Sequence, residues 1–226
     1  MKNIKAIIFD MDGVIFDTEK SYLDIWTRVF HKYGYKLDRN IYISLMGTGR
    51  NNVMKVFKEN YGEDLPIIEM YKEKDEMLME VIEKGFVPIK DGAQEILSYL
   101  KRNNFKTALA TSARRNRLDV QIKMYDIFKL FDGIVCGDDV KNGKPDPEIF
   151  LKAAEKISVN PENCIVIEDS LAGIKAAYEG GMNGFHVQDL KIADEELLKY
   201  CTKNFINLKE IKEFISLNIV QGISRS

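Results

Sequence analysis

The stretch that most limits what this chain can become is its run over residues 4–13. Ile4, Ala6, Ile7, Ile8 and Phe9 are apolar without alternation, and the run stops abruptly at Asp10, with Asp12 and Gly13 close behind. A short, uninterrupted apolar segment is expected to form a strand buried on both faces, as in a parallel sheet. Its carboxyl end is then where an open α/β sheet gathers ligand-binding groups. Two aspartates two residues apart repel if both are ionised and unpaired, so they call for a cation between them or a shared proton. Gly13 permits the sharp exit that such a crowded turn requires. Alone, Asp-x-Asp-Gly also suits a solvated turn or a calcium loop, although Val14-Ile15-Phe16 lacks the further oxygens of an EF-hand.

The 226 residues are 45% hydrophobic with a formal net charge of −2, which allows one or two ordinary cores and argues against a disordered chain. There is no basic excess suited to nucleic acid, and no run of about 20 apolar residues suited to a membrane span. The amino terminus lacks a long apolar stretch with a small-residue cleavage site. The expectation is a soluble, cytoplasmic monomer that binds neither nucleic acid nor membrane. Cys136, Cys164 and Cys201 are odd in number and lie in or beside apolar runs, as buried thiols do. His31 and His186 are not spaced to form a metal cluster with them. The chemistry falls to carboxylates.

After Phe16 the periodicity changes. Tyr22, Ile25, Trp26, Val29, Phe30 and Tyr33 recur every three to four residues until Gly34, and the helical pattern continues through Val53, Val56 and Phe57, Ile67, Ile68 and Tyr71, and Met77, Leu78, Val81 and Ile82. From Pro88 the texture alternates. Helices are predicted over residues 93–102, 114–124, 147–157, 170–179, 194–200 and 208–215, and strands over 105–110, 133–136, 164–167 and 183–187. Such alternation indicates a parallel sheet covered on both faces. The expected fold is therefore α/β: a Rossmann-like core of residues 1–15 and 88–226, interrupted by an all-helical domain over 16–87. The connections would lie near 14–17 and 86–90.

Three more strand ends carry polar groups. Thr111-Ser112 offers hydroxyls and N–H groups at a helix start, where a phosphate oxygen is readily held, or an ordinary N-cap. Gly143-Lys144-Pro145-Asp146-Pro147 places a lysine in a rigid turn, as a solvated charge or as a pinned ammonium beside Asp10. Glu168 and Asp169 end the run Ile165-Val166-Ile167, and Gly173 lets the next helix approach closely. Four acidic side chains converging without a cation would cost several kcal/mol, so an oxygen-loving dication is expected, and magnesium suits carboxylates together with phosphate and water.

Asp10-Met-Asp-Gly-Val, Thr111-Ser112, Lys144-Pro-Asp-Pro and Glu168-Asp169 follow the order of the four motifs of the haloacid dehalogenase superfamily. The chain resembles the β-phosphoglucomutase-like branch of phosphatases and phosphomutases along nearly its whole length. The resemblance implies a helical cap inserted after the first motif. It implies that Asp10 is the nucleophile, forming an aspartyl-phosphate, and Asp12 the general acid/base, with Thr111 and Lys144 holding the phosphoryl group. It further implies Mg2+ held by Asp10, the backbone carbonyl of Asp12 and Asp169, with Glu168 a ligand or a partner behind one.

The substrate implied is a small phosphorylated metabolite, in particular a sugar phosphate. Asp17-Thr18 and Gly47-Thr-Gly-Arg50 fall where the branch meets it, so Thr18, Arg50, Ser112 and Arg114 are expected as substrate-binding residues, Arg50 alternatively as an ordinary surface residue. Two departures matter: Tyr22 stands where the mutases carry a histidine, and Ala113 and Arg114 replace a serine and a lysine. Losing contacts that retain a bisphosphate favours plain hydrolysis over isomerisation. Lys72 and Lys74 are assigned to a solvated helix face. A receiver-like module phosphorylated on aspartate, or a non-catalytic phosphometabolite binder, is the alternative class; a receiver has no use for the long insertion or for Asp12.

Overall fold

In the computed structural model, residues 3–46 and 49–220 are described. Gly47 and Thr48, half of the expected Gly47–Arg50 substrate segment, lie outside them, as does the end of the carboxyl-terminal tail.

The opening run forms β1 (Ala6–Phe9), every residue of it fully buried. It is the centre of a six-stranded sheet, in spatial order β3-β2-β1-β4-β5-β6, with β2 Lys106–Ala110, β3 Gly133–Val135, β4 Cys164–Glu168, β5 Asn183–Val187 and β6 Lys203–Phe205. All neighbouring pairs are parallel. Successive strands run outward to one side of β1 and then, from β4, to the other, so the order reverses beside β1, the position at which such sheets open a crevice. Strand β6 has no counterpart among the strands expected from the sequence: Lys-Asn-Phe at an edge carries no apolar run to announce it.

Alternation along β1 divides the core, because successive side chains leave opposite faces. Ala6 and Ile8 join Ala108, Ala110, Val166 and the helices α7 (Glu148–Lys156) and α8 (Leu171–Glu179). Ile7 and Phe9 join Leu109, Ile165 and Ile167 against α5 (Ala93–Arg102) and α10 (Leu208–Ile215). Each of these large side chains contributes about 1.5–3 kcal/mol on burial.

Between β1 and α5 come α1 (Thr18–Lys32), α2 (Arg39–Leu45), α3 (Arg50–Tyr61) and α4 (Ile67–Glu83). Edge-to-face aromatics hold them together: Trp26 packs on Tyr71 at 4.8 Å and on Phe57 at 5.5 Å, and Phe30 on Phe57 at 5.0 Å. The two chain segments joining this group to the sheet run side by side, with Asp17 N donating to Pro88 O and Lys90 N to Ile15 O, both at 2.9 Å. No helix among the described residues is long and apolar enough to cross a membrane. The helix expected over 194–200 is shorter, α9 (Glu195–Leu198), started by Asp194 accepting from Leu197 N. Cys136 and Cys164 are buried thiols, whereas Cys201 is only half-buried.

Candidate active site

The register of the sheet sets the first groups level with one another. Phe9 pairs with Leu109 and with Ile167, so Asp10 follows β1 opposite the end of β2 and beside Glu168 of β4. One carboxylate oxygen from each of Asp10, Glu168 and Asp169 lies within 4.8 Å of the others. Lys144 stands among them, only 7% exposed, with Nζ donating to Asp10 Oδ1 at 2.5 Å and to Glu168 Oε1 at 2.8 Å. The second oxygen of Glu168 accepts from Ser170 N at 2.6 Å, which fixes the carboxylate at both ends. Two glycines make this approach possible. A Cβ on Gly13, whose φ is +76°, would stand 2.2 Å from Asp169 Oδ2, and one on Gly173 would stand 1.9 Å from Glu168 Oε1.

The electrostatics are unbalanced as they stand. Burial drives Lys144 toward neutrality, yet Asp10 and Glu168 outweigh it and hold its ammonium above the ordinary lysine value. Burial raises Asp10 in spite of Lys144, and raises Asp169 with Glu168 adding to the effect. One ammonium thus faces three enclosed carboxylates, and this oxygen-only donor set fits a hard dication such as magnesium or calcium.

The carboxylates open onto a cavity of about 570 Å³, whose far wall is made by α1–α4. Asp12 reaches it but does not join the triad. Its carboxylate is taken by Arg117 of α6 (Arg115–Met124), Nη1 donating to Oδ2 at 3.0 Å and Nη2 to Oδ1. Ser112 and Arg50 line the cavity and are exposed to it. Thr111 is buried and does not itself line the cavity; its hydroxyl accepts from Ala113 N at 3.0 Å.

Two expected substrate contacts lie elsewhere. Thr18 is fully buried and absent from the cavity wall; its hydroxyl accepts from Gly13 N at 3.2 Å and so braces the first loop. Arg114 is exposed and also outside the wall. The helix starts one residue later than its pattern suggested, leaving Arg114 as an extended N-cap, and the next turn delivers Arg117 instead. Lys74, assigned to a solvated face, is buried on the cavity wall, with Nζ 2.5 Å from Asp75; Lys72 is exposed as expected. Tyr22 is a wall residue as well as a packing one, its hydroxyl accepting from Arg117 Nη1 at 2.7 Å.

The profile of the haloacid dehalogenase-like hydrolases matches residues 7–187. The chain belongs to this family. It is 35% identical over 184 residues to the phosphorylated carbohydrates phosphatase of Thermotoga maritima, covering 79% of this chain and 82% of that protein. Among solved structures it resembles the β-phosphoglucomutase of Clostridium difficile, with a TM-score of 0.75, 31% identity, and 98% and 100% of the two chains covered. It also resembles CbbY of Rhodobacter sphaeroides in complex with phosphate, with a TM-score of 0.75, 25% identity, and 92% and 96% covered. The protein is an enzyme of the phosphatase and phosphomutase branch of these hydrolases.

The haloacid dehalogenase motifs do not announce every group in this cavity. Glu19 lines it, accepting from the Tyr42 hydroxyl at 3.3 Å, and burial followed by Asp12 and Asp189 pushes its carboxyl up to about 8. His186 braces Asp169 from behind, one ring nitrogen 3.1 Å from the Asp169 carbonyl and the other 2.6 Å from Asn204 Oδ1 on β6. Arg117 sits in a run with Arg114 and Arg115, and nothing in the spelling of that run singles it out.

Proposed function

We propose that the protein hydrolyses a small phosphate monoester, in particular a sugar phosphate, through an aspartyl-phosphate on Asp10. The observation that carries this reading is the placing of Lys144 between Asp10 and Glu168 on the cavity wall, with Asp12 two residues from the nucleophile. Phosphoryl transfer depends on in-line positioning and charge neutralisation more than on elaborate covalent chemistry, and this is what the site offers.

In the first step Asp10 attacks phosphorus, the ester P–O bond breaks, and Asp12 gives its proton to the leaving oxygen. In the second, Asp12 takes a proton from water as that water attacks the aspartyl-phosphate, and inorganic phosphate leaves Asp10 free. One group serves as acid and then as base. Lys144 neutralises the phosphoryl oxygens, and Thr111 and Ser112 hold them by N–H and hydroxyl groups. Asp10, Asp169 and the Asp12 carbonyl would hold Mg2+, with Glu168 beside or behind them, and the ion would supply further charge neutralisation. Residues 16–87 act as a cap domain over a core of 1–15 and 88–226, excluding water from the cavity.

The sugar phosphate is supported by the carbohydrate phosphatase of Thermotoga maritima. Isomerisation is the second reading, favoured by Arg50 on the cavity wall and by the likeness to the Clostridium difficile mutase. Incubation with magnesium and β-glucose 1-phosphate, primed with glucose 1,6-bisphosphate, separates the two. Free phosphate without glucose 6-phosphate marks a phosphatase, and fast glucose 6-phosphate with little free phosphate a mutase. Asp10→Asn should abolish either product; turnover retained in that variant would overturn the nucleophile.

A further inference from the structure

Asp12 must reach a leaving oxygen, yet both of its oxygens are occupied by Arg117. Arg117 is 9% exposed and lines the cavity. It also donates to Tyr22 on α1 at 2.7 Å, while its Nε has no hydrogen-bond partner among the described residues. The clamp therefore ties the first loop, α1 and α6 together and keeps one donor in reserve. Asp12 cannot simply turn away, because a buried guanidinium left unpaired is costly.

The wall nearby is rich in positive charge. Arg117 lies 5.8 Å from the centre of the Tyr22 ring, Lys74 lies 5.2 Å from Tyr22 and 5.5 Å from Tyr71, and Arg50 lies 4.2 Å from Tyr71. Asp75 faces both Lys74, at 2.5 Å, and Arg50, at 3.5 Å. Apart from the Asp12 clamp, two further cations on the cavity wall, Lys74 and Arg50, thus share this one carboxylate.

Resting on the phosphatase reading, we propose that Arg117 is a clamp on Asp12 that a second oxyanion on the leaving group, phosphate or carboxylate, releases. The planar fork that grips Asp12 suits either anion equally well. Exchange of one anion for the other keeps the guanidinium paired and frees Asp12 to serve the reacting oxygen. Arg117 is then a positioning residue that sets specificity, and the second anion acts on kcat rather than on KM alone.

The test compares 3-hydroxypropyl phosphate, 3-phosphonooxypropanoate and propane-1,3-diyl bisphosphate in wild type, Arg117→Gln and Arg117→Lys. Wild type should turn over the two anion-bearing esters with kcat at least tenfold above that for the hydroxyl ester, and the better of the two identifies the anion. Arg117→Gln should lose that preference while kcat on the hydroxyl ester rises severalfold; Arg117→Lys, charged but without the fork, should fall between. A preference confined to KM, or equal slowing of all three esters in Arg117→Gln, would overturn the clamp. Should wild type release phosphate from none of many monoesters, the phosphatase reading fails, and the clamp is read separately. In Asp10→Asn protein titrated with the bisphosphate, the Arg117 side-chain nitrogen resonances should move with saturation. Unmoved resonances overturn it, in this arm and equally if Arg117→Gln does not fold.

Discussion

The sheet edge and the helical wall that enclose the cavity hold their charges differently. Lys144 is 7% exposed and fixed between two carboxylates at 2.5 and 2.8 Å, whereas Arg50 is 53% exposed and meets Asp75, itself half exposed, at 3.5 Å. Breaking a buried pair costs about 3–5 kcal/mol, and an exposed one about 0–1 kcal/mol. The packing differs too: aliphatic side chains alternate across the strands, while rings meeting edge-on hold α1 to α3 and α4. Groups proposed to serve phosphoryl transfer are thus held rigidly at the strand ends. Arg50, which would meet the variable part of a substrate, stands on a helix, where its looser contact can be rearranged at little cost.

If the rigid wall is as described, Lys144→Ala has the largest effect. It should lower phosphate release by about 10²–10³-fold and destabilise the metal-free protein by about 3–5 kcal/mol in urea titration. A loss of stability confined to a few tenths of a kcal/mol would break the contrast. Phe57→Ala empties the aromatic centre of the helical group and should cost about 3–5 kcal/mol. Glu19 sharpens the comparison through pH. Burial pushes its carboxyl up to about 8 from an ordinary 4.5, so between these values the native state keeps a proton that the unfolded chain gives up. The stability it contributes is complete below about pH 4.5 and is lost as pH rises toward 8. Glu19→Gln should therefore flatten the fall in unfolding free energy between pH 5 and 8; an unchanged slope would remove Glu19 from an enclosed wall. The smallest effect is expected for Arg50→Ala, within about 0.5 kcal/mol of wild type in unfolding free energy, with any change appearing in KM.

The same contrast explains what could be read from the sequence. A strand buried on both faces announces itself as an apolar run, and its end fixes where Asp10, Thr111 and Glu168 must stand, so the sheet and its polar edge were legible without coordinates. A helix gives only the face that packs. Lys74 lies on α4 among charged neighbours, and which of them turns inward depends on how α4 meets α1. Arg114 and Arg117 differ in role because the helix begins one residue later than its pattern suggested. Thr18 looked like a ligand contact, yet its hydroxyl serves the first loop. Strand β6 was invisible because an edge strand of three residues needs no apolar signature.

The most direct test of the proposed chemistry is the burst of p-nitrophenol when Asp12→Asn protein is mixed with p-nitrophenyl phosphate and magnesium. This leaving group needs no proton, so Asp10 should still attack, while the missing base leaves the aspartyl-phosphate standing. One equivalent of nitrophenol per protein, with a phosphoryl group mapped to Asp10 after acid quench, is the expected result. Steady turnover without a burst, or a phosphoryl group on any other residue, would contradict Asp10 as nucleophile and Asp12 as the base that frees it.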